Sequence, residues 1–91
     1  MISVKNEKTI ETLNDLLFER KIDGSAIRSI EIMRVNSSGK AEVKVIKKAG
    51  KIMANLLHDM DLLLHSKHVL SYKVSHTSDM VAIFEITMAG E

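Results

Sequence analysis

Apolar and polar positions alternate along this chain in two different periods, and the changes of period mark its segments. Ile2-Ser3-Val4-Lys5 alternates strictly and predicts a short strand. From Asn6 the period lengthens. Ile10, Leu13, Leu16 and Leu17 share one side of a helix, opposite Glu11, Asn14, Asp15 and Glu19. Asn6 carries the side-chain oxygen of an N-cap, and Asp23-Gly24-Ser25 ends the helix where glycine tolerates reversal of the chain. Phe18 and Ile22 fall off the leucine stripe, either folded over the helix end or exposed.

Ile27 to Val35 is rich in β-branched residues and reads as a strand. Asn36-Ser37-Ser38-Gly39 is a turn, and Ala41 to Lys47 answers with clean alternation that points Ala41, Val43 and Val45 inward. A second helix is expected from Ala49-Gly50 to about Ser66. Its broad apolar face holds Ile52, Met53, Leu56, Leu57, Met60, Leu63 and Leu64, with His58, Asp59, Asp61 and His65 opposite and Leu62 projecting on the polar side. Leu70, Tyr72 and Val74 alternate with Ser71, Lys73 and Ser75. A polar turn from His76 to Asp79 then leads into a last strand, Met80 to Met88. No internal repeat, linker or low-complexity stretch is visible, so residues 1–91 read as one domain.

The fold expected is α+β, a two-layer sandwich in the β-α-β-β-α-β order of ferredoxin-like domains with an extra C-terminal strand. If Ile2–Lys5 is not a strand, the order becomes α-ββ-α-ββ. With both helices on one sheet face, the other face takes Ser29, Glu31, Met33 and Val35; Glu42, Lys44 and Ile46; Val69, Ser71 and Lys73; and Val81, Ile83 and Glu85. A solvated antiparallel face should be mostly polar, and this one is not.

Composition narrows the function classes. The chain has no Cys, which removes disulfides, thiolate metal sites and cysteine nucleophiles. No apolar run reaches the length of a membrane span, and no signal-peptide core is present, so a cytoplasmic location is expected. The net charge of +1 conceals a local imbalance. Residues 1–39 are neutral, residues 40–51 carry five lysines against Glu42, and residues 52–91 are net acidic.

Those five lysines, Lys40, Lys44, Lys47, Lys48 and Lys51, run from a strand into a helix N-terminus and form a candidate anion or nucleic-acid site. The stretch is not a P-loop, because Gly50-Lys51 lacks the earlier glycine and is followed by Ile52. Val43 to Leu64 resembles the strand-to-helix passage of Alba-type nucleic-acid-binding proteins, but those lack a hairpin at residues 27–46. The strand order is also similar to that of the RNA recognition motif. Ala41–Lys47, however, supplies no aromatic residue for base stacking.

His58, Asp61 and His65 share a helical face with His68 just beyond, yet the spacing is too wide for one ion and no cofactor or metal is expected. Asn36-Ser37-Ser38 matches a glycosylation acceptor in form and reads as a turn. Ser75, His76, Ser78 and Asp79 cluster in another turn, and no set of nucleophile, base and orienting acid emerges. A non-enzymatic binding protein is therefore expected, acting through protein–protein contact as a homodimer. Its candidate interface is Met33, Ile46, Leu62, Val69, Val81 and Ile83, and nucleic acid at the lysine band is the competing partner.

Overall fold

Two strands of strict alternation set the centre of the sheet. Lys40–Lys47 (β2) and Val81–Met88 (β4) each bury every second residue and pair with one another. A computed structural model describes residues 4–19, 25–36 and 38–89. Around the central pair it places α1 (Val4–Asn14), a π-helical turn (Asp15–Glu19), β1 (Ile27–Val35), α2 (Met53–Leu64) and β3 (Val69–Thr77). The four strands form one antiparallel sheet in the order β1-β2-β4-β3.

The molecule is therefore α+β, and its described elements follow the α-ββ-α-ββ order. The ferredoxin-like order does not hold. Val4 and Lys5 lie in α1, not in a strand, while Ile2 and Ser3 lie outside the described residues. The place beside β2 that such an order gives to the first strand is taken by β4. Four alternating residues with a lysine among them make a weak central strand, and the Glu and Lys residues that follow favour a helix. Asn6 is accordingly inside α1 and is not its N-cap. Gly24 and Ile22 lie outside the described residues.

The core explains the π-helical turn. Leu13, Leu16 and Leu17 are all buried. The wider i→i+5 turn lets the adjacent Leu16 and Leu17 both face inward, and it leaves Phe18 exposed. These leucines meet Leu56, Met60, Leu63 and Leu64 of α2 over the inward residues Ala41, Val43, Val45, Ala82, Phe84 and Ile86. Both helices thus cover one face of the sheet. Helix α2 begins at Met53, later than its apolar pattern suggests, because Gly50 at φ +83° turns the chain first.

A repeat invisible in the sequence organises the sheet. Every β1–β2 partnership reappears between β3 and β4. Ile27 opposite Lys47 corresponds to Val69 opposite Met88, Ile32 opposite Val43 to Val74 opposite Phe84, and Val35 opposite Ala41 to Thr77 opposite Ala82. Both register shifts repeat too, after Ile27 and Ile32 in one hairpin and after Val69 and Val74 in the other. Flanking hydrogen bonds follow the same rule. Lys48 N–H donates to Ala26 C=O and Ala89 N–H to His68 C=O, both at 2.8 Å. Lys47 N–H donates to Met80 C=O at 2.7 Å, and Met88 N–H to Gly39 C=O at 2.8 Å.

The two hairpins are thus related by a quasi-twofold axis through the sheet. Val43 and Phe84, which are equivalent to each other and also directly opposed, mark where it passes. Among the strand positions so matched only Ser29 with Ser71 and Ala41 with Ala82 are identical, so the duplication is carried by register and burial and not by residue identity.

Candidate interaction surfaces

The outer sheet face is built by the residues between the buried ones. On β2 these are Lys40, Glu42, Lys44 and Ile46, and on β4 Val81, Ile83, Glu85 and Thr87. Ile46 stands directly opposite Val81, and Ile83 follows on the same side of β4, facing Lys44. This apolar cluster lies toward one end of the central strands. Nearer the middle Glu42 opposes Glu85, and across the neighbouring strands Glu31 faces Lys44, Arg34 faces Glu42, and Lys73 faces Glu85. The last pair approaches to 4.0 Å between exposed side chains, which makes it worth little to stability. No helix among the described residues covers this face.

The six candidate interface residues do not all belong to it. Ile46, Val81 and Ile83 are brought together there, and Met33 is exposed at the β1 bulge. Val69 is instead packed against the core, and Val35 turns inward as well. The bulges in β1 and β3 reverse the parity that simple alternation assigns. Leu62 is exposed on α2, in the helical layer across the sheet from the others.

The lysine band is broken more severely. Lys47 is only 7% exposed and continues the inward series of Ala41, Val43 and Val45. Its ammonium donates to the carbonyl of Lys48 at 3.2 Å and to that of Lys51, so it clamps the β2–α2 turn from inside. Lys40 and Lys44 sit on the outer face, while Lys48 and Lys51 are exposed at the turn. Across the 8 residues of β2, at about 3.3 Å each, Lys40 and Lys48 stand roughly 25 Å apart. The parity of Lys47 was readable from its inward neighbours.

The helical face of histidines is also rearranged. Asp59, expected on the polar side of α2, is buried, and its carboxylate accepts Ala26 N–H at 2.7 Å. Its place three residues after Leu56 and four before Leu63 puts it inside the apolar stripe, a signal the sequence contains. Asp61 accepts the Tyr72 O–H, and the Tyr72 ring lies 5.9 Å from that of Phe84. Desolvation, then this hydrogen bond, then the charge of Asp61 raise the Tyr72 hydroxyl from 10.0 to about 12. Among the described residues no three metal-ligating side chains converge.

The Asn36 carboxamide oxygen accepts Ser38 N–H and Lys40 N–H, both at 3.0 Å, and the Ser38 hydroxyl at 2.7 Å, which places Asn36 in a turn, as its sequence context suggests. Ser75, His76 and Thr77, expected in or beside a turn, instead lie within β3, which runs further than the polar residues suggest, and the Ser75 hydroxyl donates to Ile83 C=O. A cleft of about 680 Å³ opens between the end of α2 and the start of β3, lined by residues that include Asp61, Leu64, Val69, Leu70 and Tyr72. Among the described residues no helix is long and apolar enough to cross a membrane. Comparison with known proteins finds no matching protein family, no similar curated protein and no similar solved structure.

Proposed function

We propose that this chain is a non-enzymatic protein-binding module that works as a homodimer through its outer sheet face. The observation that carries the reading is the Ile46–Val81–Ile83 cluster toward one end of the two central strands, on a sheet face that no helix among the described residues covers. Burying apolar side chains removes them from water at about 25 cal/mol per Å², and the charged residues beside them set the register of the approach. Light scattering across micromolar concentrations tests it. A concentration-dependent dimer that Ile83→Lys converts to a folded monomer is expected, and a strict monomer at every concentration sinks the reading. The competing proposal, phosphate contact by the lysine band, must rest on Lys40, Lys44, Lys48 and Lys51, since the Lys47 ammonium is committed to backbone carbonyls.

A further inference from the structure

The quasi-twofold makes the two sheet edges comparable position by position, and they are finished differently. On β1, Ile27, Ile30, Ile32 and Val35 all pack against the core. The matching residues of β3 are Val69, Tyr72, Val74 and Thr77, of which only the first two pack. Val74 is 39% exposed where Ile32 is covered. Leu70 occupies the bulge position that Arg28 holds on β1, and it is 72% exposed beside the cleft at the end of α2. Among the described residues β3 has β4 as its one strand neighbour, so its other edge presents a row of backbone donors and acceptors. The β3 edge therefore combines those ladder groups with an uncovered apolar side.

The strand's own formal charge is positive. From Ser66 to Ser78 the chain carries Lys67 and Lys73, with His68 and His76 and no acidic residue. The Lys73 side chain stays 73% exposed beside its 4.0 Å contact with Glu85. Register puts Lys73 and His76 on the outer side of β3, and Tyr72 and Val74 on the inner side. The carboxylate lining the cleft, Asp61, is engaged by the Tyr72 hydroxyl.

We propose that the β3 edge docks an extended segment of a partner protein, added as a fifth strand, with alternating apolar and acidic side chains. The apolar set would lie against Val74 and Leu70, and the acidic set beside Lys73 and His76. Side-chain period two makes one strand present both at once. A second copy of this chain does not fit. Its β3 carries Lys73 and no acidic residue to meet this edge, and its β1 carries Arg28 and Arg34 against Glu31. This inference rests on the reading of the chain as a protein-binding module and names the class of partner.

The test is fluorescence anisotropy of the full chain with a short labelled peptide of alternating valine and glutamate, at low and moderate salt. An alternating valine and lysine peptide is the control. Saturable binding of the glutamate peptide alone is expected, weakened at least about tenfold by Val74→Glu or Lys73→Glu and unchanged by Arg28→Glu on the opposite edge. Far-UV circular dichroism confirms that each variant is folded. No binding at low salt, equal binding of both peptides, or binding indifferent to Val74→Glu and Lys73→Glu overturns the proposal. A chain that dimerises but ignores the peptide removes this inference and leaves the outer-face reading standing. A monomer that binds the peptide does the reverse.

Discussion

The carboxylate of Asp59 accepts the backbone N–H of Ala26 at 2.7 Å and so ties α2 to the residue that precedes β1. Lys48 N–H donates to the carbonyl of the same residue at 2.8 Å, which anchors it to the end of β2 as well. Ala26 is thus held between a helix and a strand from the other side of the core.

Removing the Asp59 oxygen leaves a buried N–H without its acceptor, which costs about 1–3 kcal/mol. Asp59→Ala is expected to lower the unfolding free energy by that amount, read as a lower urea midpoint with the slope unchanged. Asp59→Asn keeps an acceptor in place and loses less. Equal midpoints for Asp59→Ala and wild type would show that the bond contributes nothing net.

Tyr72 gives stability a dependence on alkaline pH. Its hydroxyl is raised to about 12 when folded, by desolvation first and the Asp61 hydrogen bond next. A raised folded value means that the protonated form is favoured by folding. The contribution is complete below pH 10, the value of the unfolded chain, and is lost as pH rises from 10 to about 12. Tyr72→Phe removes this part of the profile. Unfolding midpoints of the two proteins should converge between pH 10 and 12, and a constant difference across that range would contradict the assignment.

Lys47 offers a control on any nucleic-acid role. Its quasi-equivalent on β4 is Met88, also buried, so the position accepts an unbranched apolar side chain. Lys47→Met is expected to stay within about 1 kcal/mol of wild type, because the freed carbonyls of Lys48 and Lys51 belong to exposed residues that water can reach. Lys47→Glu places a charge in the core facing those carbonyls and should destabilise by several kcal/mol. In a gel-shift assay at low salt, Lys47→Met leaves any phosphate binding as it was, whereas Lys48→Ala with Lys51→Ala weakens it.

These outcomes follow from parts of the molecule that the sequence showed unevenly. Strict alternation in Ala41–Lys47 and Met80–Met88 located the central strands and their inward residues, because period two is unambiguous when one face is buried. Ile2–Lys5 was too short to fix a period. Alternation puts Val35 and Val69 on the outer face, yet both pack inward, since each lies beyond a bulge that reverses parity and a bulge has no residue signature here. The repeat leaves no mark in the sequence for a related reason: its equivalences pair Ile30 with Tyr72 and Lys44 with Glu85, alike in burial or register but not in chemistry. Lys47 and Asp59 are a different case. Both sit at positions whose spacing points inward, and it was their charge that suggested an exposed role.

Val43 and Phe84 test the quasi-twofold itself. They oppose one another across β2 and β4, are fully buried, and occupy equivalent positions in the two hairpins. Phe84→Val empties space at the centre of the core and should cost about 2–4 kcal/mol. Val43→Phe overfills the same region and should cost about 1–3 kcal/mol. If the axis passes between them, exchanging the two side chains conserves volume in a site of nearly the same shape, so the double variant should be more stable than the sum of the single effects allows. A coupling of about 1–3 kcal/mol in a double-mutant cycle, read from urea unfolding, is the expected result. Strict additivity would mean that the two positions share register but not a common packing site.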